Sequence, residues 1–157
     1  MRRGSRKSSS AWKHKLLAVA VASCFAGEFA LANPTAPTVV NGQATFATQG
    51  NVLTVTNTPG SIINWQSFSI ASQEITRFLQ QSAASAVLNR VISGNPSTIL
   101  GALQSNGRVF LINPNGISIG PGAVIDVNGF IGSTSHLSDA DFISGRFRFD
   151  AVPGSNA

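Results

Sequence analysis

Past residue 32 the chain has a single histidine, His136, and it stands among Ser135, Ser138, Asp139 and Asp141. These are the residue types of a nucleophile, a general base and an orienting acid. Such triads are defined by geometry rather than by nearness in sequence, and serine and aspartate are common on surfaces. The set therefore reads as a solvated loop, and no catalytic residue is assigned. Asp139 and Asp141 would offer oxygens to Ca²⁺, but the spaced ligands and bidentate glutamate of a calcium loop are missing, so no metal site is assigned. Gly120-Pro121-Gly122 reads as a turn, since no lysine follows to meet a phosphate. Trp65 and Phe68 could stack on a sugar ring, yet large aromatic side chains in an apolar run belong in a core. No cofactor is implied.

Charge narrows the partners. The 157 residues carry a formal charge of +5, but six of the 11 Lys and Arg lie in the first 15 residues. From Asn33 onward five arginines and five acids balance. A neutral body lacks the basic footprint that phosphate binding needs, so nucleic acid is excluded as a partner class. With 43% hydrophobic and 11% charged residues, the chain is not a disordered polyelectrolyte.

Residues 1–32 read as an address. A basic, serine-containing start is followed by the apolar run 16–25 and by Ala30-Leu31-Ala32. That is the pattern of a secretory signal peptide, with cleavage after Ala32 and Asn33 opening the mature chain. The run is too short to span a bilayer, which takes about 20 apolar residues. Val21-Ala22-Ser23-Cys24 also resembles a lipobox, which would make the chain a lipoprotein anchored at Cys24. As the lone cysteine, Cys24 excludes a disulfide framework within the chain.

The body reads as short strands at 38–40, 52–56, 62–70, 75–79, 87–92, 108–112, 117–119, 124–127 and 147–149. In Val52-Leu53-Thr54-Val55-Thr56, Leu53 and Val55 share one face while the threonines take the other. Ala123, Ile125 and Val127 likewise share a face from which Asp126 points away. In Arg146-Phe147-Arg148-Phe149 the alternation is that of an edge strand with the arginines outward. Asn-Gly pairs at 41–42, 106–107, 115–116 and 128–129, and Pro-Gly pairs at 59–60 and 121–122, mark turns. Residues 73–92 are expected as strand–turn–strand rather than helix. A sandwich, a barrel or a β-solenoid would each take such strands, and the spacing in 108–134 suits a coil of β rungs best. No exact repeat period is visible.

The residues carrying Ile62-Ile63-Asn64-Trp65-Gln66-Ser67-Phe68-Ser69-Ile70, Phe78-Leu79-Gln80, Leu88-Asn89-Arg90-Val91 and Asn106-Gly107-Arg108-Val109-Phe110-Leu111-Ile112-Asn113-Pro114-Asn115-Gly116-Ile117 occur in that order. Together with the following 123–127, Gly129-Phe130 and Ser133-Thr134, this set resembles the N-terminal secretion domain of filamentous-haemagglutinin-type exoproteins, particularly the high-molecular-weight adhesin branch of two-partner secretion. The likeness covers residues 36–150. It implies an all-β, right-handed parallel β-helix over 33–157, truncated at its C-terminal end. It also implies export through the periplasm to the cell surface or medium, an outer-membrane transporter as partner, and no enzyme activity in this domain. Asn113, Pro114, Asn115 and Gly116 match the family's hallmark, associated with folding and transporter recognition. A second Asn-Pro motif is matched in part by Asn95 and Pro96. The resemblance further implies a missing passenger that would meet host-surface glycans or proteins. A carbohydrate-binding module and a lipid-anchored module remain the alternatives.

Elementary chemistry reads the same tetrapeptide as a corner. Pro114 presets its own φ and keeps Asn113 extended, while Asn115 and Gly116 suit positive φ. Whether it is only a corner or also a transporter contact stays open at this level.

Overall fold

A computed structural model describes residues 33–151. Cys24 and the proposed cleavage residues Ala30 and Ala32 lie outside the described residues. The chain forms β1 (Thr38–Asn41), β2 (Ala44–Gln49), β3 (Val52–Asn57), β4 (Ser61–Trp65), β5 (Ile75–Leu79) and β6 (Ala86–Val91). It continues through β7 (Ser97–Ile99), β8 (Ala102–Ile112), β9 (Ile117–Ile119), β10 (Val124–Ser133) and β11 (His136–Leu137), then α1 (Asp139–Ile143) and β12 (Phe149–Asp150).

The strands stack in columns. β3 pairs parallel with β5, β5 with the first half of β8, and that half with the first half of β10. In the second column β4, β6 and the later halves of β8 and β10 pair in the same way. The third column runs from an isolated bridge at Ile70 through β7 to β9. The result is the β-solenoid of about four turns, a right-handed parallel β-helix as the resemblance implied. β2 lies antiparallel on β3 and β1 antiparallel on β4, so the first rung's edges are covered.

The interior follows from the period-two alternation. Leu53, Val55, Ile63, Trp65, Phe78, Val87, Leu103, Val109 and Leu111 point inward and form one cluster. Ala123, Ile125 and Val127 pack against it, as their alternation predicted. Phe46 of the capping strand meets Trp65 edge-on at 5.6 Å, and Trp65 meets Phe68 at 5.7 Å. Trp65 and Phe68 are 0% and 1% exposed, so neither offers a face to a sugar. The Trp65 indole N–H donates to Asn89 Oδ1 at 2.9 Å, and the Asn89 amide in turn donates to the Phe110 carbonyl at 3.2 Å. A buried asparagine thus joins three successive rungs at no unsatisfied cost.

Several expectations change. Asn106-Gly107 and Asn128-Gly129 are not turns; they lie inside β8 and β10, where the strand passes from one column to the next. Asn106 there imitates a peptide group: its Oδ1 accepts from the Gln80 N–H at 2.7 Å and its Nδ2 donates to the Gln80 carbonyl at 2.6 Å. Gly107 is required by space, since a Cβ would come within 2.7 Å of the Gln80 side chain and 2.9 Å of the Ser85 carbonyl oxygen. β2 and β7 are strands that the sequence pattern did not show, because Ala44–Gln49 has one large apolar residue and Ser97–Ile99 has three residues in all. The run 62–70 is strand only as far as Trp65.

The region of His136 is also more ordered than a loop. Ser138 caps α1, accepting from the Asp141 N–H at 3.1 Å and donating to the Asp141 carboxylate at 2.9 Å. His136 lies exposed on β11, and the Ser138 hydroxyl is engaged by Asp141. Hydrogen bonds from Arg146 and from Ser138 hold the Asp141 carboxyl below the usual carboxylate range. The stability it contributes is present above that range and fades as pH falls through the lowered value. Phe147 and Phe149 turn inward and both arginines outward, although only Phe149–Asp150 is strand.

Leu103 is fully buried at the centre of the coil. Leu103→Ala is expected to lower the unfolding free energy of the purified chain by about 2–5 kcal/mol in urea titrations, from lost burial and the cavity left behind.

Candidate functional site

The corner between β8 and β9 is Asn113-Pro114-Asn115-Gly116. Gly116 has φ of +110°, a region that side-chain-bearing residues avoid, and its N–H donates to the Asn113 carbonyl at 3.1 Å to close the turn. An added Cβ at Gly116 would lie 4.0 Å from Pro96, so conformation rather than space requires glycine here.

Asn113 is 0% exposed. Its Nδ2 donates to the Asn95 carbonyl at 3.0 Å and to Ser97 Oγ at 2.9 Å. Its Oδ1 accepts from the Asn115 backbone N–H at 3.0 Å and from Asn115 Nδ2 at 3.2 Å. Two donors and two acceptor sites are all that an asparagine side chain has, and every one is used. The backbone N–H donates to the Ser133 carbonyl on the rung above at 3.0 Å, so this one residue bonds to both neighbouring rungs.

Pro114 and Asn115 are exposed. Asn115 Nδ2 also reaches the Ser93 carbonyl at 2.8 Å. The Gly116 carbonyl accepts from the Ser97 N–H at 2.9 Å, which starts the β7–β9 ladder.

Those contacts place the second Asn-Pro motif directly beneath the first. Asn95 and Pro96 belong to the corresponding corner of the preceding rung, between β6 and β7, but the two motifs are not equivalent. Arg90 pairs with Ile112 and Ser97 with Ile117, so the lower corner takes seven steps where the upper takes five. Asn95 and Pro96 are exposed, and Asn95 offers its carbonyl to Asn113 rather than sitting in an Asn113-like position. Ser93 and Ser97 complete the site. Sequence reasoning missed both, since serine in a polar turn carries no signal until a partner 16 to 22 residues away is known.

At the other end, Asn33 is anchored through its side chain. Its Nδ2 donates to the Asn51 carbonyl at 3.2 Å and its Oδ1 accepts from the Thr76 hydroxyl at 2.9 Å. Among the described residues no group of three or more His, Cys, Asp or Glu is arranged to hold a metal ion.

Asn113→Ala removes all four side-chain bonds and is expected to cost about 1–3 kcal/mol or more, the penalty for buried groups left unpaired. Asn113→Asp keeps the acceptors, loses both donors and buries a carboxyl, which raises that carboxyl's folded-state pKa above its unfolded value. This variant should be most stable at acidic pH and lose stability as pH rises through the raised value. Urea titrations at pH 4 and pH 7.5 would show it; equal stabilities at the two pH values would contradict the buried geometry.

Comparison with known proteins agrees with this architecture. The TPS secretion domain family model matches residues 30–156. Two heme/hemopexin-binding proteins of Haemophilus influenzae are similar. One is 43% identical over 105 residues, covering 66% of this chain and 12% of that protein; the other is 40% identical over 87 residues, covering 55% and 9%. The crystal structure of the HMW1 secretion domain from Haemophilus influenzae matches with a TM-score of 0.71 and 44% identity, over 72% of this chain and 30% of that one. This chain thus spans about a tenth of the curated relatives it matches. It belongs to the TPS secretion domain family, whose members are exported exoproteins that pass through the periplasm.

Proposed function

We propose that this chain is the secretion module of a longer adhesin-type exoprotein, delivered by a signal peptide at 1–32 and cleaved after Ala32. An outer-membrane two-partner transporter receives it through its periplasmic domains. The observation that supports a divided role for the corner is its burial pattern. Asn113 is enclosed and fully bonded, whereas Pro114 and Asn115 face solvent. Asn113 locks one rung to its neighbours, and the exposed pair is what a transporter can touch.

The absence of cysteine after Cys24 suits transit, because no disulfide can lock the chain before it crosses. Outside, each completed rung offers a strand edge to the next, so folding proceeds by addition and draws the chain outward. The extended chain can meet the transporter through main-chain pairing, which asks little of individual side chains. The haem and hemopexin binding in the relatives' names is not carried over. The described residues offer one exposed histidine and no cysteine, methionine or tyrosine as an iron ligand.

Capture by the transporter's immobilised periplasmic domains tests the reading. Pro114→Ala should change stability by less than about 1 kcal/mol. Asn115→Ala should lose about 0.5–1.5 kcal/mol for each of the bonds its amide makes, to Ser93 and to Asn113. Both should still unfold cooperatively while capture falls at least about tenfold, a change of 1.4 kcal/mol. If both are captured like the parent, and only Asn113→Ala loses capture in step with its stability, the corner is a folding element and direct contact is wrong.

A further inference from the structure

After β10 the chain does not start another rung. Residues 135–150 turn back over the outer face of the second column and cover a stripe made by Ile62, Leu88, Phe110 and Ile112, one or two residues from each of three successive rungs. Leu137 and Phe142 are buried on that stripe, and Phe147 and Phe149 pack at its margin. The Phe110 ring lies 5.3 Å from Phe142 and 4.7 Å from Phe147, centre to centre.

The attachment differs in kind from the rest of the molecule. β11 and β12 pair only with each other and join no column. The backbone bonds of α1 run within the segment, from Phe142 to Ser138 and from Ser144 to Ala140. What ties it to the coil is apolar contact and two arginines. Arg90 Nη2 donates to the Leu137 carbonyl and to Asp139 Oδ1, each at 2.8 Å, and the Arg108 guanidinium lies 5.7 Å over the Phe147 ring. A five-residue helix and a two-residue strand pair cannot persist without such support.

We propose that residues 135–150 are a latch, which closes on a coil whose rungs are already built and opens without unwinding them. Every residue of the stripe precedes the latch in the chain, so a chain made or delivered from its N-terminus carries an open apolar stripe until Phe149 is free. Closure then buries the stripe in one step, with Arg90 as the residue that positions the latch. Only its place in export rests on the secretion reading; the latch itself is a property of the purified chain.

Native-state hydrogen exchange at low urea tests this on the full chain. The Phe142 and Ser144 amides should exchange at least about tenfold faster than those of Val109 and Leu111 in β8, by a local opening. Arg90→Gln should accelerate the latch amides a further tenfold or more, the factor expected when charge-assisted bonds are lost, and leave β8 unchanged. It should also raise binding of a hydrophobic dye. Equal protection of latch and β8 in the parent, or equal acceleration of both in the variant, overturns the proposal. Should Arg90→Gln fail to fold, Asp139→Ala removes one of the two bonds and must show the same selectivity, and the parent comparison remains decisive by itself. Loss of transporter capture in the corner variants leaves this exchange pattern untouched, so the two readings fail separately.

Discussion

The structure depends on one constraint: each strand in the coil finds a backbone hydrogen-bond partner one rung away, and only β3, capped by β2, also has one beside it in sequence. β8 shows this most fully. Its two halves pair with β5 and β6 on one side and with both halves of β10 on the other. Main-chain pairing of this kind is indifferent to side-chain identity, so the faces of the strands are free to alternate between a dry interior and a polar exterior. That freedom explains how a nearly uncharged body of apolar residues, Asn, Gly and Thr holds a defined fold. It also leaves the corners, where the ladder is interrupted, as the places needing side-chain chemistry.

At a corner and inside the strands alike, amide side chains bond across the rungs as peptide groups do. Asn106 returns both bonds of a peptide to Gln80, Asn89 joins Trp65 to Phe110, and Asn113 joins Asn95, Ser97 and Asn115. An amide carries a donor and an acceptor without charge, so it can be buried where a carboxylate could not. The Asn-Pro-Asn-Gly corner is the most fully bonded example. Its first residue is enclosed, its middle pair is exposed, and both asparagines reach the rung below.

The two faces of the second column serve different ends. Inward, Ile63, Trp65, Val87, Val109 and Leu111 make the coil's core; outward, Ile62, Leu88, Phe110 and Ile112 would leave an apolar stripe in water. Covering the stripe with residues 135–150 keeps the second apolar face of these strands out of water. It joins residues 135–150 to three successive rungs without adding to the ladder.

Local chemistry was legible in the sequence. The alternation around Leu53 and Ile125 located inward faces, and Asn113-Pro114-Asn115-Gly116 announced a corner because Pro and Gly restrict or free φ by themselves. β5 and β9 were read to the residue, β9 because Gly116 and Gly120 bound it and β5 because Glu74 and Gln80 bound its apolar run. What only the tertiary structure decided was everything resting on a partner about 20 residues away. Val52, Ile75, Ala102 and Val124 stack in one column at steps of 23, 27 and 22 residues, because the corner at 80–85 is long and the strand through Asn106-Gly107 has none. Unequal steps hide the repeat from any search for a fixed period. The same inequality sets the two Asn-Pro motifs out of register, makes an Asn-Gly pair a bend within a strand, and assigns Ser97 to Asn113. No local preference distinguishes these outcomes. They follow from which rung lies beneath, and stacking alone determines that.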